Sequence, residues 1–453
     1  MRRISSNSDS KILENVYIEK LVYGGYGLGR DSEGMIIFVE NAYPGEIVDV
    51  ILKKVKRDYS IGRVVRFRLR STNRLKPECD HFKECGGCCW MDYPYEEQLK
   101  AKKEIVSEQF RRFLKLDPEP FIREVERSDV IFRYRNKLIF KAFFDNGEMN
   151  FGFVGNEGYT KISDCKVAPR IFSDIKNYVG RILNAIDPEV FRGTVRNLGF
   201  RMNEDGDLAV LFVSRSERIP NEGEVLKLLL RKFPDLQIVF VHNARSKSAF
   251  SGKVRIVRGD GYLIERMNWF EYMIPVESFF QVNKNITMKM LGKITEILCP
   301  SKREKLLDLY CGVGIFGIYF SPLFSKVVGV DLNERAIKFA RANTKMNKVK
   351  NCVFLKDDAV NFLRKAVRKK EKFDKIILDP PRGGIGREGM ELIAELKPKR
   401  IIYISCNPST LVRDLKVLLE KGYEIVEVQP FDMFPHTYHV ETVALLDRGE
   451  GMK

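Results

Sequence analysis

The sequence lacks the features that would place this chain in a membrane or direct it out of the cell. No stretch of its 453 residues approaches the roughly 18 uninterrupted apolar residues that a membrane-spanning helix requires. The N-terminal segment Met1–Ser8 is polar and contains no apolar core of a secretion signal. We therefore expect a cytoplasmic protein without a membrane partner, and the sequence indicates no obligate protein partner.

Glutamine is also scarce, and internal repeats and low-complexity tracts are absent. Five glutamines accompany abundant lysine and glutamate, a composition found in heat-adapted proteins. Apolar residues make up 44% and charged residues 31% of the chain, which excludes a disordered or fibrous protein. Because 453 residues exceed what one hydrophobic core organises, we expect two or three domains.

Acidic residues are nearly missing from residues 51–76. The formal net charge of +17 for the whole chain is compatible with a nucleic-acid partner and equally with a basic surface that has no specific ligand. In this segment, however, Asp58 is the single acid among ten basic residues. A basic stripe of this density is typical of a surface that contacts phosphates. The ten residues are Lys53, Lys54, Lys56, Arg57, Arg63, Arg66, Arg68, Arg70, Arg74 and Lys76.

Short strand-like segments separated by glycine-rich turns run from residue 12 to residue 68. The turn Gly24–Gly29 follows the first segment, and the basic stripe lies on the last ones. Regular short strands of this kind predict a small barrel. We assign residues 9–68 to a β-barrel of the oligonucleotide-binding type that contacts RNA. A barrel that only packs against its neighbour is the alternative.

Residues 69–265 predict a mixed, mainly antiparallel middle domain. Tyr95–Leu116 has apolar residues at helical spacing, which indicates one amphipathic helix. Strand-like alternation dominates from about residue 121 onward, as in Lys137–Phe144, Asn150–Val154 and Leu208–Val213.

A cysteine-rich patch opens this middle domain. Cys79, Cys85 and Cys88 are spaced as C-x5-C-x2-C, and Cys165 lies far downstream. In a chain without an export signal, such cysteines indicate a metal site rather than disulfides. Three clustered cysteines and a remote one suit an iron–sulfur cluster, whereas zinc sites usually show two close pairs. Zinc remains an alternative on spacing alone, and Cys89 could take the place of Cys88.

From residue 270 to residue 453, helices and strands alternate, which predicts a parallel sheet with helices on both faces. The predicted fold class is an α/β Rossmann-like domain, preceded by the small N-terminal β-barrel and the mixed, mainly antiparallel middle domain. Ligands of such sheets bind at the carboxyl ends of the strands. The helix is Asn283–Leu298, and the strands are Lys305–Leu309, Lys326–Asp331, Cys352–Leu355, Lys375–Asp379 and Arg400–Ser405, with a closing pair around Glu424–Phe431 and Val440–Leu446.

The first of these strands ends in a glycine turn, Asp308–Gly314, that suits an adenosine-containing ligand. A dinucleotide fingerprint needs a third glycine at the start of the helix, and Gly317 stands one position off that register. The turn therefore favours a methionine–adenosine ligand. Asp331 could accept both ribose hydroxyls, or it could cap the following helix. Asp358 could meet the adenine amino group, although Asp357 beside it leaves that role open.

Cys406 directly follows a predicted strand, in Ser405-Cys406-Asn407-Pro408. Methylation of a pyrimidine at carbon 5 requires a nucleophile at carbon 6, and a thiolate is suited to form that bond. A base must then remove the carbon 5 proton, and Glu441 fits this role. The alternatives are an inert buried thiol at Cys406 and a structural ion pair at Glu441.

Asp379 ends another predicted strand, in Asp379-Pro380-Pro381-Arg382. The two prolines stiffen the backbone, so they could hold the Asp379 carboxylate close to both the methyl donor and the base. Enzymes that methylate exocyclic amino groups carry similar tetrads with an aromatic residue at the last position, where this chain has Arg382. The presence of Arg382 instead of an aromatic residue favours methylation at a ring carbon over methylation of an amino group.

Over nearly the whole chain, the sequence resembles the S-adenosylmethionine-dependent RNA uracil-5-methyltransferases. The resemblance rests on the four cysteines named above and on the motifs Ser278–Asn283, Asp308–Gly314, Asp379–Arg382, Ser405–Pro408 and His439–Thr442. The barrel resembles the TRAM domain of the branch that acts on 23S ribosomal RNA. The resemblance implies S-adenosylmethionine as methyl donor and a four-iron four-sulfur (4Fe-4S) cluster. Members that act on transfer RNA often lack both barrel and cluster, so the resemblance favours ribosomal RNA, with transfer RNA as the alternative.

The resemblance also implies roles for single residues. Asp331 stands where many members have Glu, which shortens the reach to the ribose. A catalytically inactive iron–sulfur protein that binds RNA or senses redox state is the alternative from a different class. The implied roles are nucleophile for Cys406, proton acceptor for Glu441, contacts to the methyl donor for Gln281, Tyr310, Asp331 and Asp379, and cluster ligands for Cys79, Cys85, Cys88 and Cys165.

Overall fold

A computed structural model describes residues 11–155, 158–243 and 252–449 of the chain. The polar segment Met1–Ser8, the first two residues of the predicted barrel (9 and 10) and residues 450–453 of the predicted last domain lie outside the described residues. Within the described ranges, no helix combines the length and the apolar character needed to cross a membrane.

Five strands close into an N-terminal barrel, as the sequence predicts. The strands are β1 (Ile12–Leu21), β2 (Gly27–Arg30), β3 (Ile36–Glu40), β4 (Ile47–Val55) and β5 (Tyr59–Leu69). Their order around the barrel is β1-β2-β3-β5-β4, in which β3 and β5 run parallel and the other neighbouring strands pair antiparallel. Buried aliphatic side chains such as Val16, Ile37 and Val50 fill the interior, so the alternating pattern of each strand turns its apolar face inward.

The basic stripe follows β4 and β5, but one of its ten members does not face solvent. The side chain of Arg74 is only 3% exposed and forms ion pairs of 2.6 Å with both Glu46 and Asp92. The prediction of a phosphate contact is therefore wrong for Arg74, because a buried guanidinium with two carboxylate partners joins the barrel to the following segment.

The helix predicted over Tyr95–Leu116 is α1 (Tyr95–Gln109), which continues as a π-helical turn, Phe110–Leu114. It ends at Lys115, whose φ of 59° is left-handed. Phe110 of that turn is fully buried and packs in the core of the last domain. The helix thereby connects the barrel side of the molecule to the C-terminal sheet.

The middle domain is a seven-stranded, mainly antiparallel sheet, which confirms the predicted class. Its order is β12-β11-β10-β9-β6-β7-β8, and β10 with β11 is the parallel pair. The helices pack on a core that includes Phe172, Val179 and Phe200. A separate hairpin of β13 and β14 leads into the last domain. The elements are β6 (Lys137–Asp145), β7 (Glu148–Gly155), β8 (Gly158–Lys161), α2 (Arg170–Ile186), α3 (Pro188–Phe191), β9 (Val195–Met202), β10 (Leu208–Ser214), α4 (Glu222–Lys232), β11 (Gln237–His242), β12 (Lys253–Arg258), β13 (Tyr262–Met267) and β14 (Phe270–Pro275).

The last domain is the predicted Rossmann-like fold. Its sheet has the order β17-β16-β15-β18-β19-β21-β20, with five parallel strands followed by the antiparallel β21 and β20. The elements are α5 (Lys284–Leu298), β15 (Lys305–Leu309), α6 (Ile315–Phe320), β16 (Lys326–Asp331), α7 (Glu334–Met346), β17 (Cys352–Lys356), α8 (Ala359–Arg368), β18 (Lys375–Leu378), α9 (Gly386–Leu396), β19 (Arg400–Ser405), α10 (Pro408–Glu420), β20 (Tyr423–Phe431) and β21 (Glu441–Arg448).

The chain direction across this sheet reverses between β15 and β18. From β15 it moves outward through β16 to β17, and then returns to β18 on the other side of β15. In open α/β sheets the crevice at such a reversal, beyond the carboxyl ends of the strands, is where ligands bind. The fold therefore predicts a ligand-binding site at the edge of the sheet formed by the carboxyl ends of the parallel strands.

Candidate active site

A cavity of about 440 Å³ lies at this edge of the sheet. It is lined by residues that follow four different parallel strands, together with the segment before α5 and the start of β21. Its volume falls in the range of small-molecule sites. All six residues predicted for the donor and for catalysis line it: Gln281, Tyr310, Asp331, Asp379, Cys406 and Glu441.

The glycine turn after β15 is held by the carboxylate of Asp331. The Gly312 amide donates to Asp331 Oδ2 at 3.0 Å, and the Asn333 amide donates to Asp331 Oδ1 at 2.7 Å. Gly312 has a φ of 53°, and a Cβ added there would meet no atom within 4 Å. The turn therefore leaves open space for a ligand that approaches its backbone.

The helix-cap alternative for Asp331 is wrong, because Asn333 caps α7. Its side chain accepts hydrogen bonds from the amides of Arg335 and Ala336. Asp358 in turn caps α8 by accepting from the Asn361 amide at 3.0 Å. Asp358 is not among the described residues that line the cavity, so the geometry gives no support to an adenine contact by its side chain.

Cys406 and Glu441 are brought together by strand pairing. Ser405, the last residue of β19, lies opposite Thr442 of β21, so the residues flanking this pair, Cys406 and Glu441, meet at the end of the sheet. Asn407 then caps α10 by accepting from the Ser409 amide at 3.2 Å. Cys406 consequently sits in the short link between a buried strand and a helix.

The loop Asp379-Pro380-Pro381-Arg382 is fastened to this link. The carbonyl of Arg382 accepts hydrogen bonds of 3.2 Å from Asn407 Nδ2 and from Thr410 Oγ1. Farther along, the Ile385 amide donates to Asp414 Oδ2 at 3.0 Å, and Tyr403 donates to the same oxygen at 2.7 Å. The loop with Asp379 and the loop with Cys406 are therefore one rigid unit.

Burial and charge set the protonation of the site. Burial, together with the neighbouring Glu441 and Asp379 and against the charge of Arg382, raises the pKa of Cys406 to about 11. Burial also raises the pKa of Asp379 to about 7 and that of Glu441 well above its ordinary value. Two carboxyl groups that interact in a buried site disfavour simultaneous ionisation. Arg382 is therefore the cation that favours the charged forms of Cys406 and Glu441.

Several lining residues were not assigned a role from the sequence. Phe279, with 76% of its surface exposed, stands at the rim, and Phe434 and His439 form part of the wall. Burial, reinforced by the charge of Arg382, lowers the pKa of His439 to about 4, so its imidazole is neutral at pH 7. His439 belongs to the motif His439–Thr442, so the sequence could have indicated it as a site residue. Phe434 belongs to no motif, and hydrophobic periodicity does not indicate that it lines the cavity.

The residues present fit S-adenosylmethionine. The turn at Gly312 offers backbone approach, and Asp331 lines the cavity with a carboxylate. Burial raises the pKa of Asp379 to about 7, so a cationic ligand beside it would favour its ionised form. The lining is also largely apolar, which suits the adenosine and the aliphatic part of the methionine chain. Asp308, beneath the turn, is fully buried, and its Oδ2 accepts from the Gly317 amide at 2.9 Å. Asp308 thus supports the turn from below and does not line the cavity within the described residues.

The four predicted cluster cysteines lie in one region of the middle domain. Cys79, Cys88 and Cys165 pack against the same apolar cluster around Met91 and Tyr134. Burial raises the pKa of the Cys88 thiol far above its usual range, and the neighbouring thiol of Cys165 adds to this effect. In residues 11–155, 158–243 and 252–449, no group of three or more Cys, His, Asp or Glu side chains has the arrangement of a metal site. The thiols therefore lie in one region of the structure, but they do not have the arrangement of metal ligands.

The fold and the cavity together define a methyltransferase that uses S-adenosylmethionine. Comparison with known families agrees: residues 94–449 match the tRNA (uracil-5-)-methyltransferase family, and residues 14–65 match the TRAM domain. The chain belongs to the tRNA (uracil-5-)-methyltransferase family. It is accordingly an S-adenosylmethionine-dependent RNA methyltransferase, as the sequence predicts, and RNA is its substrate.

Relatives match nearly the whole length of the chain. A Thermotoga maritima protein described as an uncharacterized RNA methyltransferase is 39% identical over 447 residues, which are 97% of this chain and 100% of that protein. One from Caldanaerobacter subterraneus with the same description is 32% identical, covering 96% of this chain and 98% of that protein. Among solved structures, Pyrococcus abyssi tRNA (uracil-54, C5)-methyltransferase in complex with S-adenosyl-L-homocysteine is similar, with a TM-score of 0.72 and 28% identity, over 96% of this chain and 100% of that chain.

Proposed function

We propose that this enzyme methylates carbon 5 of a specific uridine in RNA through a covalent adduct between Cys406 and carbon 6. The observation that carries the proposal is the shared cavity, which places Cys406 and Glu441 in one wall and Gln281, Tyr310 and Asp331 around the same space. A donor and a pyrimidine that meet in this cavity would both be in contact with the groups that must act on them.

The chemistry requires two acts from the protein. Cys406, as thiolate, forms a bond from Sγ to carbon 6, and the electron pair displaced from the ring double bond makes carbon 5 nucleophilic. S-adenosylmethionine, when bound, supplies an electrophilic methyl group and leaves as S-adenosylhomocysteine. Glu441 then accepts the carbon 5 proton; the electrons of that carbon–hydrogen bond restore the double bond, and the Cys406 thiolate is expelled.

Because its pKa is raised to about 11, Cys406 is a thiol in the ligand-free protein at pH 7. This proton must leave Sγ before the sulfur attacks, and Arg382 is the positive charge that favours its loss. Glu441 must likewise be ionised to accept a proton. A cationic donor near Asp379 would lower both pKa values, which would link activation of the site to donor binding.

Replacement of Cys406 tests the proposal directly. With RNA that contains 5-fluorouridine, the native enzyme should form a stable protein–RNA adduct, because fluorine at carbon 5 cannot leave as a proton. Cys406→Ala should form no adduct and no 5-methyluridine, while the exposed Cys299→Ala should behave as the native enzyme. Full turnover by Cys406→Ala would refute the covalent route. Turnover without an adduct in the native enzyme would instead favour methylation of an amino group.

For the RNA, we propose 23S ribosomal RNA, supported by the barrel and by the cysteines that accompany it. Transfer RNA is the second candidate, because a similar structure at 28% identity is that of a tRNA (uracil-54, C5)-methyltransferase. Ribosomal and transfer RNA, transcribed without modification, should be offered separately with labelled donor, followed by nucleoside analysis. Labelled 5-methyluridine in transfer RNA alone would overturn the ribosomal assignment.

We also propose that Cys79, Cys85, Cys88 and Cys165 hold a 4Fe-4S cluster. Their common location and the chemistry of four thiolates support this, since the cluster requires four such ligands. Protein purified without oxygen should contain about four irons and about four sulfides, the composition of a cubane held by four cysteine thiolates. Cys165→Ala should lose iron, whereas Cys299→Ala should retain it. One bound zinc without sulfide would establish the alternative.

A further inference from the structure

A second cleft of about 250 Å³ lies directly beside the catalytic cavity. Three segments that are distant in sequence form most of it: Gly24–Tyr26 of the barrel turn, Lys83–Cys89 of the cysteine loop, and Thr437–His439 of the loop before β21. Glu40 and Asn41 of the barrel complete its lining. We call it the three-segment cleft. His439 lines both the three-segment cleft and the catalytic cavity, so the two spaces share a wall.

Aromatic rings lead from the barrel to that shared wall. Tyr23 meets Tyr438 edge to face, with ring centroids 5.2 Å apart, and the ring centroid of Tyr438 lies 4.1 Å from that of His439. His439 is in turn 5.7 Å from Phe434, which lines the catalytic cavity. Such flat surfaces stack with nucleobases of any sequence. The row of rings therefore offers a base a place directly next to the catalytic cavity.

Hydrogen bonds and close packing connect the three segments in the ligand-free protein. The amides of Cys89 and Trp90 donate to the carbonyl of His436 at 3.1 and 3.0 Å, and Trp90 Nε1 donates to the carbonyl of Gly25 at 3.3 Å. A Cβ at Gly25 would lie 2.8 Å from Cys89 Sγ. The barrel turn thus packs directly against the cysteine loop, and the cleft is a fixed feature rather than a gap between independent domains.

Beyond Lys83 the three-segment cleft opens onto a depression of about 950 Å³ between the barrel and the middle domain. The two share Glu40, Asn41 and Lys83. The lining of the larger one holds four cations against the two acids Glu40 and Glu84; the cations are Lys53, Arg63, Lys83 and Lys161. Cationic side chains along a groove with aromatic platforms are typical of surfaces that hold single-stranded nucleic acid. A duplex would not enter a cleft of 250 Å³.

We propose that the three-segment cleft binds the nucleotide adjacent to the target uridine, in a single-stranded stretch of RNA, with Tyr26 and Tyr438 stacking on its base and Lys83 contacting its phosphate. This inference rests on the proposed function. It assigns the barrel a part in presenting the substrate at the catalytic cavity, in addition to any general attraction by the basic stripe.

Kinetics with the RNA that the native enzyme methylates test the cleft. Tyr26→Ala should raise the KM for RNA about tenfold, the size expected for loss of one stacked base, whereas Tyr26→Phe should restore it. Lys83→Glu should raise the same KM and Lys83→Arg should not. Lys350→Glu is the matched control, because Lys350 is exposed at the amino end of β17, opposite the site. The KM for S-adenosylmethionine should stay constant in all five variants.

A crosslinking experiment locates the neighbour without any substitution. RNA with 5-fluorouridine at the target and 4-thiouridine on either side should be trapped on the enzyme and irradiated. We expect crosslinked peptides from residues 23–26, 83–89 or 437–439. Crosslinks confined to other regions, or a KM for RNA unchanged in both Tyr26→Ala and Lys83→Glu, would overturn the inference. Failure of the proposed function is distinct, since the native enzyme would then make no 5-methyluridine.

Discussion

The amide of Gly312 donates a hydrogen bond of 3.0 Å to Oδ2 of Asp331, which ties the turn after β15 to the end of β16. One carboxylate therefore both shapes the glycine turn and lines the cavity. Asp331→Ala should raise the KM for S-adenosylmethionine about tenfold or more, because tenfold corresponds to about 1.4 kcal/mol and a hydrogen bond to a charged group contributes about 1.5–3 kcal/mol.

Two further variants sharpen this measurement. Asp331→Glu keeps the carboxylate and should retain most of the affinity for the donor. Asp357→Ala is the control, since the Asp357 carboxylate is paired with Lys365 and is not among the described residues that line the cavity. An unchanged KM in Asp331→Ala, measured at saturating RNA, would contradict the assigned role.

Arg382 should control the pH dependence of catalysis. Its charge lowers the pKa of Cys406 and of Glu441, while burial and Asp379 raise both. Because both groups act in their ionised forms, the rate rises with pH, and loss of the cation moves that rise to higher pH. In Arg382→Met the ascending limb of kcat/KM should therefore shift upward, and Arg382→Lys should leave it near its native position. Coincident profiles for the native enzyme and Arg382→Met would contradict this reasoning.

The catalytic sheet could be predicted largely from the sequence because its signals are local. Lys305–Leu309, Lys326–Asp331 and Arg400–Ser405 are short apolar runs with polar ends, and all three have the predicted bounds. Parallel strands put their carboxyl ends on one edge, which is why residues as distant as Tyr310 and Cys406 could be expected in one site.

Other features depend on tertiary contacts that a sequence does not display. Helix α2 has Phe172, Ile175 and Val179 at helical spacing. This helix was not predicted from the sequence, because the segments on both sides of it have the alternation of strands. Arg74 appeared as one more cation of the stripe, although its two carboxylate partners make it a buried residue. The wall contributed by Phe434 depends on a loop conformation that no periodicity encodes.

Asp308 should make the stability of the fold depend on pH. Burial raises its pKa to about 8, so the folded chain holds a proton that the unfolded chain, with a pKa of about 3.9, releases. Protonated Asp308 contributes fully to the free energy of unfolding below about pH 4, and this contribution is lost as the pH rises through about 8. Asp308→Asn keeps an acceptor for the Gly317 amide and stays neutral. Urea unfolding should show a smaller loss of free energy between about pH 5 and about pH 9 in Asp308→Asn than in the native protein; equal losses would contradict the prediction.

Lys137 should affect the donor site from a distance. It is buried, and its Nζ donates to the carbonyls of Glu277 at 3.0 Å and of Ser278 at 2.6 Å, within the segment that leads to Gln281. Lys137→Met would remove the donor from the Glu277 carbonyl, whereas the Ser278 carbonyl would still accept from Arg201 Nη2. The loss should cost about 1–3 kcal/mol of unfolding free energy for a buried group left unpaired. Since the same segment carries Gln281 into the cavity, the KM for S-adenosylmethionine should rise as well.

Lys176 provides the control that separates stability from positioning. It is also a buried lysine that donates to a backbone carbonyl, that of Ile162, but it belongs to α2 on the core of the middle domain. Lys176→Met should therefore lower the free energy of unfolding and leave the KM for the donor unchanged. If both variants lose stability and neither changes that KM, Lys137 only stabilises the fold. A higher KM in Lys137→Met alone, at a temperature where both variants are folded, would identify Lys137 as a positioning residue for Gln281.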